Sequence, residues 1–142
     1  SDDISSTEQP EPLEDLVLLN LKVRKAGIDP GLTQQCEAVI DQLVNLIPSV
    51  NAAATPGSEL TWTVNRIATE YLPNKCVMPY LTLSKDAQQS EQNITMMQNS
   101  LASLSKELTD VEALLASKDD REFNAKATFL KHRFNNNENG EA

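Results

Sequence analysis

Glycine and aromatic residues are scarce in this sequence. It has 4 glycines in 142 residues, and Phe, Tyr and Trp together make up 4%. Sheet-rich folds use glycine in their turns and β-branched or aromatic residues in their strands, so both signals for a sheet are weak. Aliphatic residues recur instead every three to four positions, which predicts an all-α fold with an aliphatic core. The length predicts a single domain.

A membrane-length apolar run and a positive charge balance are also missing. No run approaches the ~18 consecutive apolar residues of a membrane-spanning helix, so we predict no membrane insertion. Lys and Arg number 12 against 21 Asp and Glu, which gives a net charge of −9. Such a balance repels phosphate backbones, so we predict no nucleic-acid partner. No apolar leader with a cleavage site is evident, and we expect a cytoplasmic protein, with export after signal removal as the open alternative.

Residues that carry reaction chemistry are few. His132 is the single histidine, and Cys36 and Cys76 are the two cysteines. Neither zinc-ligand spacing nor a glycine-rich phosphate loop is present. We therefore predict no catalytic residue, no cofactor and no metal. The cysteines are expected to be buried thiols, with one disulfide in an exported protein as the alternative, and their mutual distance is left open.

The ends of the chain are polar and the middle is periodic. Residues 1–11 and 135–142 carry too few apolar side chains to offset the entropy of ordering, which predicts disordered tails. Residues 12–134 then form the domain, a bundle of about five helices. The first helix is predicted to end at Gly27 and to bury a stripe made of Leu13, Leu16, Val17 and Leu21, with Val23 at its edge.

A heptad pattern extends through the second half of the chain. Its apolar or small residues alternate steps of four and three, which predicts a long helix with shorter helices along it. The pattern weakens between residues 84 and 93, where helix and loop are both open. A C-terminal helix with the same spacing is expected to return antiparallel. A regulator that self-associates as a homodimeric coiled coil would use the same seam and is an alternative function. The seam residues are Cys76, Tyr80, Leu83, Ala87, Ser90, Ile94, Met97, Leu101, Leu104, Leu108, Val111 and Leu115.

Two prolines interrupt the apolar stretch TEYLPNKCVMPYL, residues 69–81. A proline disfavours helical geometry in the residue before it, so the first proline is predicted to end one helix. The second proline would lie in the first turn of the next helix, where its missing N–H costs little. The stretch is therefore interpreted as a helix-to-helix corner, made of Tyr71, Leu72, Pro73, Pro79 and Tyr80.

The Tyr71-Leu72-Pro73 element resembles one in bacterial proteins named for bromochloroindolyl phosphate hydrolysis, which are associated with toxic-anion resistance. Tyr80 is similar to a later aromatic of that family, and CEAVIDQLVNLIP and the final hairpin resemble its flanking helices. The similarity runs from Leu32 to Phe134. The segment NKCVMP departs from the Thr-rich sequence expected after the element. The resemblance implies a cytoplasmic helical protein and supplies no catalytic residues.

Two classes of function follow from these patterns. The favoured class is a non-enzymatic protein–protein interaction or scaffold module, because apolar residues off the local stripes are typical of contact surfaces. For each of these residues, packing against a third helix is the alternative. The residues are Trp62, Met78, Met96 and Phe129.

The second class is a metal-assisted phosphate-ester hydrolase, as the family name suggests. Such an enzyme would need carboxylates to hold a divalent cation. The most suitable group in the sequence is Asp119, Asp120 and Glu122.

Overall fold

The computed structural model describes residues 11–53 and 58–139, with side chains as far as Phe134. Within these residues the chain is helical and contains no strand, which confirms the predicted all-α bundle. None of the described helices is both long and apolar enough to cross a membrane. The elements are α1 (Pro12–Ala26), α2 (Pro30–Ala53), α3 (Glu59–Arg66), a π-helix (Ile67–Val77), α4 (Met78–Leu81), α5 (Lys85–Gln88), α6 (Glu91–Ser117) and α7 (Asp120–Asn139).

The structure does not describe most residues of the two predicted tails. Residues 1–10 and 140–142 are not among the described residues. Helix α7 continues to Asn139, so the C-terminal tail was predicted to begin too early, directly after Phe134. Composition alone does not show where such a helix ends.

The core lies where α2 packs along α6. From Leu101 to Val111 the heptad seam is buried as predicted, and Leu104, Leu108 and Val111 are at most 1% exposed. The last seam residue, Leu115, is only partly buried. Beside these apolar contacts, the Gln42 amide of α2 donates to the Ser105 carbonyl of α6 over 3.2 Å. Each α2–α6 contact joins positions far apart in sequence, so the two helices hold the chain in one compact unit.

The seam does not form one continuous helix. Ser84 and Ser90 each accept a hydrogen bond from a backbone N–H three residues later, which begins α5 and then α6. Residues 84–93 are therefore neither one continuous helix nor one loop: they contain α5, a break at residues 89–90 and the first residues of α6. Leu83, a predicted seam residue, is 37% exposed. The buried Tyr80 hydroxyl donates to the Gln88 carbonyl and ties this connection to the core.

The predicted helix end at Pro73 is wrong. The chain remains helical from Glu59 to Leu81, and Pro73 lies inside the π-helix. A π-helical turn is wider than an α-helical one, which relieves the clash between a proline ring and the carbonyl four residues earlier. The turn follows α4 instead, after Pro79 and Tyr80. Leu72 is fully buried, and the Tyr71 ring packs edge-on against Phe134 with ring centroids 4.7 Å apart.

The predicted stripe of α1 is also wrong, except for Leu16. The helix buries Leu16, Leu19 and Val23. It exposes Leu13, Val17, Leu18 and Leu21 on another face. Because α1 carries apolar residues on two faces, periodicity identifies the helix but not the face that contacts the core.

Candidate interaction groove

A two-residue connection reverses the chain between α6 and α7. Lys118 adopts a left-handed conformation with φ 58°, and its N–H donates to the Leu114 carbonyl over 3.1 Å. Asp119 accepts a hydrogen bond from the Glu122 N–H over 3.1 Å and so caps α7. Ser117 donates to the Leu114 carbonyl over 2.9 Å and accepts from the Asp119 N–H over 3.3 Å. This tight connection places the start of α7 beside the end of α6.

Helix α7 returns antiparallel, as predicted, but rests mainly on α3. Lys126 contacts Asp110, and Arg133, further along α7, contacts Ser103, which is earlier in α6. The contacts of α7 with α3 are more extensive and include a 3.2 Å ion pair between Lys131 and Glu59. Since α6 is held by α2 and α7 by α3, the two hairpin helices leave space between them.

This space, which we call the hairpin groove, has a volume of about 730 Å³. Phe129 lines it and keeps 48% of its surface exposed. Small side chains on each helix, Ala113 and Ala125, keep the groove open. The complete lining is Lys106, Glu107, Asp110, Ala113, Leu114, Ser117, Glu122, Ala125, Lys126 and Phe129.

Lys126 is the centre of an ion network at the groove. Its Nζ pairs with Glu107 and, at 3.2 Å, with Asp110, and it lies 5.0 Å from the centroid of the Phe129 ring. The hydrogen bond from Lys126 lowers the pKa of Asp110 below its usual value. The buried Glu107 also accepts from Arg133 over 2.7 Å. The positive charges of Lys126 and Arg133 are thus paired with carboxylates of the same chain.

The proposed metal ligands do not share a site. Asp119 caps α7, Glu122 lines the hairpin groove, and Asp120 lines a separate cavity of about 380 Å³. In the described part of the chain no group of three or more His, Cys, Asp or Glu side chains is placed to hold a metal ion. His132 is exposed on α7. Among the described residues, therefore, no carboxylates converge to hold the divalent cation that the hydrolase alternative requires.

The four predicted contact residues occupy different places. Phe129 lines the hairpin groove, whereas Met96, 59% exposed, lines a smaller cavity of about 250 Å³. Trp62 is half exposed on α3, with the Arg66 guanidinium 5.3 Å from its ring centroid. Met78 is half-buried at the start of α4. Of the four, Phe129 alone lines the hairpin groove.

The ion network at the groove was not predicted from the sequence. Lys126 and Arg133 are seven residues apart, beside the stripe of Phe123 and Leu130, which is where helical pairs carry their interhelical charges. This seven-residue spacing is the sequence pattern from which the ion network could have been predicted. Glu107 adjoins the seam residues Leu104 and Leu108 and corresponds to the partner position on α6.

Cys36 and Cys76 are free, buried thiols. Burial raises the pKa of Cys36 to about 12 and that of Cys76 to about 11. The charge of an ionised Cys76 also raises the pKa of Cys36. Both thiols are protonated and unreactive near neutral pH.

We expect the free energy of unfolding to fall as pH rises above about 9. Unfolded thiols ionise near pH ~8.5, whereas the folded protein keeps them protonated until about pH 11 to 12. The stabilisation is complete below the unfolded pKa and is lost as pH rises through the folded values. Urea unfolding at pH 7 to 10.5 measures this slope. The double variant Cys36→Ala/Cys76→Ala should give a shallower slope, and equal slopes would contradict the assignment.

No family model, curated protein or solved structure matches this chain. The resemblance around Tyr71-Leu72-Pro73 therefore stays a prediction.

Proposed function

We propose that this chain is a non-enzymatic interaction module and that the hairpin groove holds an apolar segment of a protein partner. One observation carries the proposal: an aromatic side chain, Phe129, stands half exposed inside a groove of about 730 Å³ between two helices. Aromatic side chains are enriched among binding hot spots, and apolar clefts of this size are typical binding sites.

The shape of the groove favours a helical segment as its ligand. Helices recognised in grooves lay an apolar face against the walls, and Ala113 and Ala125 allow a close approach. Lys106 and Glu122 line opposite ends of the groove, because α6 and α7 run antiparallel. A complementary partner helix is amphipathic, with an acidic residue near Lys106 and a basic residue near Glu122.

The proposed location is the cytoplasm. Two free, buried thiols are typical of a reducing compartment, where structural disulfides are rare. A relationship to the bromochloroindolyl phosphate hydrolysis family is part of the same proposal, and it supplies no residue of the hairpin groove.

Phe129→Asp is expected to weaken partner binding by at least about tenfold, because a hot-spot aromatic contributes ~2 kcal/mol or more. Proteins captured by the immobilised chain are identified by mass spectrometry, purified and titrated against each variant. Met96→Asp is the matched control, since Met96 is similarly exposed but lines another cavity. Circular dichroism checks that both variants fold.

Equal affinity of the wild type and Phe129→Asp for every purified partner would exclude the hairpin groove as the binding site. Turnover of a phosphate ester with Mg²⁺ or Mn²⁺ that Asp120→Ala abolishes would instead favour the hydrolase alternative.

A further inference from the structure

The strongest feature outside the hairpin groove is the exposed apolar face of α1. It consists of Leu13, Val17, Leu18 and Leu21, which are between 40% and 58% exposed. We call it the α1 face. The opposite side of the same helix packs on the core through Leu16, Leu19 and Val23. A row of aliphatic residues along a helix marks an interaction surface more often than scattered single residues do.

We propose that a second copy of this chain covers the α1 face, with the two α1 helices antiparallel about a two-fold axis. The described chain leaves this face exposed. Residues 1–10, which precede α1, contain Ile4 as their single large apolar residue, so their composition cannot match four aliphatic side chains.

The α1 face is self-complementary when it is read in the reverse direction. Glu14, Leu18, Leu21 and Lys25 follow the four-three-four spacing of one helical seam. In an antiparallel pair centred between residues 19 and 20, Leu18 lies opposite Leu21 of the second copy. Glu14 then lies opposite Lys25 of the second copy. Each contact occurs twice, as a two-fold interface requires.

The charges at the two ends of α1 favour antiparallel over parallel pairing of the two α1 helices. The first turn of α1 is acidic, with Glu14 and Asp15, and its last turn is basic, with Arg24 and Lys25. Parallel helices would place like charges together at both ends, which costs free energy. Antiparallel helices place each acidic end beside a basic end. Arg24 already pairs with Glu37 of its own chain, so the proposed contact with the second copy uses Lys25.

The α1 face differs from the predicted coiled-coil seam. The seam residues Leu104 and Leu108 are buried by the chain's own helices, so they have no surface for a second copy. Dimerisation through α1 does not involve the hairpin groove. Tests of the α1 dimer and of partner binding in the hairpin groove can therefore give opposite results.

Sedimentation equilibrium over increasing protein concentration tests the pairing. We expect the wild-type mass to approach twice the monomer mass and Leu18→Asp to stay monomeric. Leu18 is 56% exposed, so the variant keeps its core. Met96→Asp, a similarly exposed residue on α6, is the matched control and should still dimerise.

A charge exchange distinguishes this register from non-specific association. Glu14→Lys should weaken the dimer at least severalfold, and Glu14→Lys combined with Lys25→Glu should restore it, because the pair is re-formed with reversed signs. A wild-type monomer at all concentrations overturns the proposal. So does a dimer unaffected by Leu18→Asp, or an α1 face that binds phosphatidylcholine–phosphatidylserine vesicles while the protein stays monomeric.

Discussion

Truncation of Leu108 to alanine should lower the free energy of unfolding by about 3 to 5 kcal/mol. Leu108 is fully buried on α6, in the core that α6 shares with α2. The variant loses the transfer free energy of the removed methyl groups. It also leaves a cavity, because the surrounding helices are held by other contacts and relax only in part.

Urea unfolding, followed by circular dichroism at 222 nm or by Trp62 fluorescence, measures this loss. Leu18→Ala is the matched control, because it removes the same atoms from a side chain that is 56% exposed. It should change the free energy of unfolding by less than about 0.5 kcal/mol when the protein is monomeric. A loss below about 1 kcal/mol in Leu108→Ala would mean that α6 does not pack on α2 as described.

Glu107→Ala should lower the free energy of unfolding by about 2 kcal/mol, which is the second largest expected effect. Breaking a fully buried ion pair costs about 3 to 5 kcal/mol. The value here is smaller because Lys126 keeps a contact with Asp110, and the Arg133 side chain is 29% exposed to water. The removed carboxylate leaves both cations without their buried partner.

Asp110→Ala is the control for the network, because the Asp110 side chain is 42% exposed. Exposed ion pairs contribute at most about 1 kcal/mol, so this variant should be the milder one. The double variant Glu107→Ala/Lys126→Ala should lose less than the two single variants together, since both remove the same contact. Strict additivity would show that Glu107 and Lys126 do not interact in solution.

The heptad spacing from Leu101 to Val111 predicted the buried residues of α6 correctly. A helix with one apolar stripe has a single low-energy orientation against a core, so the pattern alone is informative. The same reasoning failed for α1, where Leu16 and Leu18 belong to different apolar faces. The choice between those faces depends on the surfaces of the other helices, which a local pattern does not contain.

The proline corner shows a second limit of local rules. Pro73 is a strong helix breaker in an isolated α-helix, yet the chain passes through it as a π-helix. Burial of Leu72 and the contact of Tyr71 with Phe134 supply tertiary stabilisation directly before this proline. Such long-range contacts override a local preference of a few kcal/mol.

For the candidate site, the sequence identified Phe129 as a contact residue, whereas the tertiary fold determined which residues surround it. Phe129 was selected because it lies off its stripe. Its proximity to Lys126 follows from the helical repeat, but the groove depends on α7 resting on α3 rather than closing on α6. That preference arises from contacts between segments about 70 residues apart, such as Glu59 with Thr128, and no spacing rule predicts it.

By itself, the sequence determined the helical class, the buried face of α6 and the scarcity of reactive side chains. These properties depend on residue type and on neighbours within one or two turns, which the order of residues specifies directly. The tertiary structure alone decided which face of α1 is buried, how Pro73 is accommodated and where the hairpin groove opens. Each of these outcomes depends on competition between surfaces that meet only after the chain has folded.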